Sequence, residues 1–107
     1  KKTYTLHFDS FPQTLEKGFW SVTAYGKDDF LIDNPINRYC INDRSVLNRN
    51  ADGSVDITLS HAMPENTENW LPIGETEFHL FLRIYKPDWN ALRGWQPPTV
   101  CVKSPQI

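Results

Sequence analysis

The sequence predicts an all-β protein: an antiparallel β-sandwich or jelly-roll-like domain with one short helix near residues 88–93. Three observations favour this class. Several segments alternate apolar and polar residues with a period of two. Turn signals separate these segments at short intervals, as in sandwiches and barrels. The sequence lacks the regular alternation of strands with longer helices that is typical of a parallel sheet.

Two strands are predicted in the first quarter of the chain. The first covers residues 4–8, where apolar residues alternate with polar ones. The segment 9–18 contains a proline and a glycine and is expected to form a loop. The second strand covers residues 19–25 (FWSVTAY), and three of its alternate residues share one face: Trp20, Val22 and Ala24.

Shorter elements follow. A turn at 26–29 leads to a short strand at 30–32, which Pro35 prevents from continuing because proline cannot donate to a central sheet ladder. Residues 38–41 and 45–48 are further short extended candidates.

The clearest strand patterns lie in the second half of the chain. Residues 55–61 alternate strictly and follow an Asp-Gly turn signal, which predicts a half-buried strand. Residues 64–74 are expected to form a loop. The longest strand is predicted at 76–86, with Phe78, Leu80, Leu82 and Ile84 on one face and His79, Phe81, Arg83 and Tyr85 on the other.

The C-terminal part combines the predicted helix with a last strand. Residues 87–94 are expected to form one or two helical turns, because proline stands at the start and glycine just past the end. A strand is predicted at 99–102. The residues expected to form the core are Leu6, Val22, Ile57, Leu59, Leu80, Leu82 and Ile84.

Length and charge exclude several classes of protein. A chain of 107 residues is long enough for one domain, so we expect residues 1–107 to form a single sandwich. Thirteen acidic and eleven basic residues give a net charge of −2, which argues against a nucleic-acid partner. The sequence contains no run of eighteen apolar residues, so no transmembrane helix is predicted, and no direct membrane contact is expected. An exposed apolar strand edge would favour self-association.

The two cysteines are predicted to be free thiols. Cys40 and Cys101 lie far apart in sequence and lack a metal-ligand spacing such as CxxC. Each lies in an apolar, strand-like run, which is the usual environment of a buried free cysteine. Pairing stays open if the protein is exported.

No motif in the sequence points to a metal, a cofactor or a catalytic centre. Three histidines, His7, His61 and His79, lie in strand patterns, but no two have a local ligand spacing, so no metal site is expected. The sequence contains neither a G-x-S-x-G nucleophile motif nor a glycine-rich phosphate loop, and no cofactor is expected.

Arginines close to aromatic residues form the most informative polar set. Arg83 lies in the middle of a predicted strand, where its charge needs a partner such as Asp43. We favour a structural network of ion pairs and hydrogen bonds over a ligand pocket. Trp70, Trp89 and Trp95 lie in predicted loops or the short helix, where they either close the ends of the sandwich or form a platform for sugars.

Seven sequence blocks resemble the bacterial domain of unknown function 1214 in order and spacing. They extend over residues 4–102, and two departures, Cys40 for a small residue and Lys86 for an aromatic one, leave the fold unaffected. The blocks are FWSVTAY at 19–25, DNPINRY at 33–39, DR at 43–44, NADGS at 50–54, NWLP at 69–72, LRIYKP at 82–87 and GWQPP at 94–98.

The resemblance implies a context as well as a β-rich fold. Such domains commonly follow domain of unknown function 1254, so we expect this chain to be the C-terminal part of a longer bacterial protein of the cell envelope or an exported one. Its expected partner is the N-terminal domain of the same protein. The candidate ligand-binding or structural residues in the matching blocks are Asn37, Arg38, Tyr39, Asp43, Arg44, Asn69, Trp70 and Arg83.

Three functions stay open on this basis. The first is a non-catalytic module that packs on the N-terminal domain or binds a small polar ligand. The second is part of a hydrolase with its site at the interface of the two domains, to which Arg38, Arg44 or His61 would contribute. The third is a carbohydrate-binding module that uses Trp70 and two other tryptophans. The sequence identifies no catalytic residue.

Overall fold

Seven strands form two sheets in the computed structural model, which describes residues 3–102. One sheet has the strand order β5-β4-β1-β7 and the other β3-β2-β6. Neighbouring strands are antiparallel except for β4 and β5, which are parallel. The predicted all-β class is confirmed. The strands are β1 (Tyr4–Phe8), β2 (Thr14–Gly26), β3 (Cys40–Asn42), β4 (Val55–Ser60), β5 (Trp70–Pro72), β6 (Phe78–Pro87) and β7 (Thr99–Val102).

Alternate residues of the strands bury their side chains between the two sheets, as the period of two requires. Of the predicted core, Leu80, Leu82 and Ile84 are only partly buried, because β6 is an edge strand. Complete burial of one such side chain contributes about 1.5–3 kcal/mol to folding. The buried core comprises Leu6, Phe8, Trp20, Val22, Ala24, Ile41, Val55, Ile57, Leu59, Leu71 and Ile73.

The expected loop at 64–74 contains a short strand, β5. Its three residues lie parallel to the end of β4, with Trp70 beside Thr58 and Pro72 beside Ser60. The backbone N–H of Ile73 also donates to the carbonyl of Ser60 at 3.0 Å. A proline is tolerated here because β5 is the edge strand of its sheet.

Strand β2 begins earlier than the sequence predicts and takes in part of the expected loop at 9–18. The pairing with β6 shifts register between Thr14 and Phe19, and Lys17 has a positive φ of 65° at this irregularity. Gly18 lets the strands approach there, since a Cβ atom on it would lie 2.6 Å from the carbonyl oxygen of Tyr85.

The predicted helix near 88–93 is not seen. The N–H of Leu92 donates to the carbonyl of Asp88, but the next backbone bonds, from Arg93 to Asn90 and from Trp95 to Leu92, span three residues, so the segment forms turns and no run of helical hydrogen bonds. The expected strand at 30–32 is reduced to one bridge between Leu31 and Tyr25, and residues 45–48 form no strand.

Within residues 3–102, no helix has the length and apolar character needed to cross a membrane.

Candidate functional site

Arg38 ties two loops together. Its Nη1 donates to three backbone carbonyls, those of Thr67 at 3.1 Å, Glu68 at 2.7 Å and Trp70 at 3.2 Å. Partial burial of the guanidinium lowers the pKa of Arg38 below its usual value. The acceptors are loop carbonyls rather than carboxylates, so Arg38 holds the start of β5 in place.

The loop that carries Arg38 is itself fixed by Asn34, which the sequence analysis did not select. The Nδ2 group of Asn34 donates to the carbonyls of Ile32 and Arg38, and its Oδ1 accepts the N–H groups of Ile36 and Arg38. Asn37 follows in the left-handed region at φ 51°. The only local signal was the Asn-Pro pair, which is typical of a turn.

Asn69 and Trp70 complete this structural cluster. The Asn69 side chain bonds both backbone groups of Asn48, at 2.7 and 2.8 Å, and donates to the carbonyl of Asp56 at 3.0 Å. The Trp70 ring is fully buried, and its Nε1 donates to the carbonyl of Ser60 at 3.0 Å. Their polar atoms are therefore used within the fold.

The other predicted site residues lie apart from this cluster. Tyr39 is half-buried next to Arg38, whereas Asp43 and Arg44 are exposed in the turn after β3. Arg83 lies on the outer side of β6, and no ion pair joins it to Asp43 in the part of the chain that the structure describes. Arg38, Asn69 and Trp70 therefore lie in the structural cluster, Arg83 lies on a separate surface, and the turn residues Asp43 and Arg44 belong to neither.

That separate surface is the outer side of the β2–β6 pair. We call it the aromatic face, and it comprises six residues whose side chains point away from the core: Phe19 and Tyr25 on β2, and His79, Phe81, Arg83 and Tyr85 on β6.

Register places these side chains in pairs along the sheet. Phe19 lies opposite Tyr85, with ring centroids 5.3 Å apart and nearly stacked planes. Tyr25 lies opposite His79 at the other end, with ring centroids 5.6 Å apart. Phe81 contacts both of the latter rings edge to face, at 5.4 and 5.3 Å. The rings thus form two clusters, Phe19 with Tyr85 and Tyr25 with His79 and Phe81. Along β6, Phe81 and Tyr85 are about 13 Å apart, since each residue advances about 3.3 Å.

Arg83 lies between the two ring clusters. Its guanidinium is 5.3 Å from the ring centroid of Phe81 and 6.0 Å from that of Tyr25, and its Nη2 donates to the Tyr25 hydroxyl at 3.3 Å. Phe81 and Tyr85 are about half exposed, at 49% and 53%. Large aromatic residues around a cation thus stay in contact with solvent.

The sequence identified four of the six residues of this face. The period of two put the four β6 residues on one side of their strand, but the partner strand and its register depend on tertiary pairing. Phe19 and Tyr25 of β2 join the face because β2 lies antiparallel to β6.

A second polar group lies on the outer side of the other sheet. His7 Nδ1 is 2.5 Å from Asp56 Oδ1, and His7 Nε2 is 3.0 Å from Asp9 Oδ1. The hydrogen bond to Asp56, and then that to Asp9, raises the pKa of His7 above its usual value. Both ring nitrogens are occupied, so this imidazole is suited to hold two carboxylates and not to accept a proton from a substrate.

We expect an NMR titration of the His7 ring to give a pKa above 6.5, the usual value for histidine. Asp56→Asn will lower this pKa more than Asp9→Asn, because the bond to Asp56 has the larger effect. The His7 bond to Asp56 in turn lowers the pKa of Asp56 below 3.8.

The sign of the pH effect follows from these directions. The contribution of His7 to stability is complete below pH 6.5 and is lost as pH rises through its raised pKa. That of Asp56 is complete above pH 3.8 and is lost as pH falls through its lowered pKa. As pH rises above 6.5, the unfolding midpoint of the unchanged chain should fall more than that of Asp56→Asn. Equal changes in the two proteins would contradict the assignment.

The hydroxyls of three serines are bonded to groups other than histidine. Ser54 donates to Asp52 at 2.5 Å, Ser60 to the carbonyl of Ala62 at 2.7 Å, and Ser45 to Asn42 at 3.4 Å. Among residues 3–102, no group of three or more His, Cys, Asp or Glu side chains is placed to hold a metal ion.

A cleft of 470 Å³ opens where the loop after β5 leads into β6. Tyr4 and Phe78 contribute rings, and His61, Glu75 and Glu77 contribute ionisable groups. His61 Nε2 lies 3.6 Å from Glu75 Oε1, and its Nδ1 lies 3.3 Å from the carbonyl oxygen of Ile73. The volume falls within the range of about 300–1,000 Å³ that is common for small-molecule sites.

The three tryptophans do not form a shared platform. Trp70 is fully buried, Trp95 is half-buried and donates from Nε1 to the carbonyl of Ser10, and only Trp89 is largely exposed, at 75%.

The cysteines are free, as predicted, but neither is buried. Cys40 on β3 is half-buried and Cys101 on β7 is exposed.

Comparison with known proteins finds one family and a shared fold. A family model described as "Protein of unknown function (DUF1214)" matches residues 1–89. No curated protein matches the chain. A crystal structure of the VPA0106 protein from Vibrio parahaemolyticus is similar over 97% of this chain and 26% of that one, with 30% identity and a TM-score of 0.80.

A second solved structure, an uncharacterised protein from Burkholderia cenocepacia, shares the fold with 19% identity and a TM-score of 0.61. The similarity covers 95% of this chain and 25% of that one. The chain therefore spans about a quarter of the length of both solved proteins.

Proposed function

The chain belongs to the DUF1214 family, and from this premise we propose that it is a non-catalytic β-sandwich module that docks through its aromatic face on the N-terminal part of a longer protein. The observation that carries the proposal is the aromatic face itself: exposed Phe19, Phe81 and Tyr85 around Arg83. Tyrosine and arginine are enriched among the residues that dominate the binding energy of protein interfaces.

The length of the solved relatives supports this choice of partner. In the Vibrio parahaemolyticus protein, the matching part is 26% of the chain, so three quarters of that protein lie outside the shared fold. A domain of this size in a longer polypeptide has neighbours, and an exposed aromatic sheet face is the kind of surface that a neighbour covers.

The ring geometry favours a protein partner over a polysaccharide. A sugar-stacking platform needs rings that lie flat in one plane. Here the Phe81 ring stands at 76° to Tyr25 and at 88° to His79. Such a cluster presents edges as well as faces, which suits the uneven surface of a protein.

Hydroxyl-radical footprinting tests the docking proposal. The chain alone is compared with the product of the complete reading frame that encodes it. We expect labelling of Phe81 and Tyr85 to fall severalfold in the longer protein, because both rings become covered. Trp89, an exposed ring outside the face, is the control. Equal labelling of the face in both proteins, or a reading frame that encodes no further domain, would contradict the proposal.

A second candidate function is the binding of a small polar ligand in the cleft at His61. The two glutamates and two aromatic rings in its lining favour a cationic ligand. Putrescine and succinate, a diamine and a dicarboxylate of equal carbon number, are suitable probes. We expect putrescine alone to shift the NMR signals of His61 and Gly74, and the absence of any shift would exclude this function for cations of that size.

The hydrolase alternative has less support. Arg38 is engaged with loop carbonyls, and Arg44 lies exposed in the turn after β3, so neither belongs to the lining of the His61 cleft. The hydroxyls of Ser45, Ser54 and Ser60 bond to groups other than histidine, whereas an activated nucleophile needs a base within hydrogen-bond reach.

A further inference from the structure

We infer that the surface which docks on the aromatic face carries a carboxylate opposite Arg83, an inference that rests on the docking function proposed above. The physical basis is the position of Arg83, a cation in the middle of the aromatic face, because docking would remove this face from water. The partner is accordingly an acidic protein surface, and not a second copy of this chain.

Arg83 has unused hydrogen-bond donors. A guanidinium group carries five N–H donors, and one of its nitrogens here bonds to the Tyr25 hydroxyl. Across residues 3–102, no carboxylate lies within ion-pair distance of Arg83. Water supplies the remaining acceptors while the face is exposed.

Docking would remove that water. Two rings, those of Phe81 and Tyr25, lie beside the guanidinium, and they stabilise a cation through their faces but supply few acceptors. An unpaired charge is costly to bury, so the covering surface must provide acceptors. A carboxylate fits best, because it accepts two parallel hydrogen bonds from one guanidinium.

A second copy of the chain does not meet this need. In a two-fold dimer the same patch lies on both sides of the interface. The patch contributes Arg83 and, at its rim, Lys86, whose Nζ lies 5.9 Å from the Tyr85 ring centroid. One carboxylate beside the patch, that of Asp29, lies at its His79 end, 3.4 Å from the His79 ring. Cations would therefore face cations near the centre of such a dimer.

Two peptides of equal size test the inference on the isotope-labelled chain. They are acetyl-Trp-Glu-Trp-amide and acetyl-Trp-Gln-Trp-amide, and the signals observed are the Nε–H of Arg83 and the backbone N–H groups of β6. We expect the acidic peptide to bind about threefold to fivefold more tightly, in line with the strength of a partly exposed ion pair. The preference will shrink at high salt.

Matched variants assign the preference to one residue. Arg83→Gln will abolish it, whereas Arg93→Gln, with the same change of charge in the turns after β6, will retain it.

The outcomes separate the two proposals. Equal binding of both peptides to the face would overturn the acidic partner and leave the docking function standing. Failure of both peptides to shift any signal of the face would overturn both proposals. If the NMR signals of the aromatic face shift with protein concentration in the absence of peptide, a second copy of the chain occupies the face. This result would also overturn the inference.

Discussion

Replacing Trp70 with alanine will lower the free energy of unfolding by about 3–5 kcal/mol, the range for removing a large aromatic side chain from a core. The Trp70 ring is fully buried, and its Nε1 is one of two donors to the Ser60 carbonyl, at the end of the parallel pairing of β5 with β4. A domain of this size has a total stability of about 5–15 kcal/mol, so the variant will be close to unfolding.

Denaturant unfolding followed by far-ultraviolet circular dichroism measures the effect. Trp70→Phe retains most of the apolar ring and removes one of the two donors to the Ser60 carbonyl, which still accepts the Ile73 N–H, so we expect less than half the loss for it. Trp89→Ala is the matched control, because this ring is 75% exposed, and its effect should stay within about 0.5 kcal/mol. Similar losses at both tryptophans would contradict the placement of Trp70.

The second large effect is expected at Arg38. Arg38→Ala will lower the free energy of unfolding by about 1.5–3 kcal/mol, since a charged donor is removed from the carbonyls of Thr67, Glu68 and Trp70. The loss arises at the start of β5, so local opening should precede global unfolding. Hydrogen exchange of the Trp70 and Ile73 N–H groups will accelerate more than that of β2.

Arg38→Lys separates charge from geometry. Lysine keeps the positive charge, but its ammonium is more strongly hydrated than a guanidinium and costs more to bury partly, so we expect it to recover less than half of the loss. Arg44→Ala is the control, because Arg44 is exposed in the turn after β3. An unfolding midpoint of Arg38→Lys equal to that of the unchanged chain would show that charge alone is sufficient.

These two residues also show why the candidate site was only partly predictable. Arg38, Asn69 and Trp70 lie in two of the sequence blocks that resemble the DUF1214 family, and the structure brings them together around the start of β5. Their role is to hold the fold. Arg83 was expected to pair with Asp43, but its hydrogen-bond partner is Tyr25, 58 residues away in sequence. No local pattern contains that information.

The errors in secondary structure have related causes. The proline at the start of 87–94 and the glycine at its end are compatible with a helix, and the Asp88 side chain caps the Ala91 N–H as at a helix start, yet the backbone bonds that follow span three residues and leave isolated turns. Strand β5 has three residues, too few for a periodic pattern, and it becomes a strand only because β4 offers a free edge beside it.

The sequence by itself determined the all-β class, most of the strands and the inner face of each long strand, because the period of two is a property of the local backbone and of which side chains avoid water. The tertiary structure alone decided which strands pair and in what register. It therefore decided that Phe19 and Tyr25 join the side chains of β6 in one surface, and that Arg38 meets carbonyls about thirty residues away. Those contacts depend on the closure of long loops, whose geometry no single segment encodes.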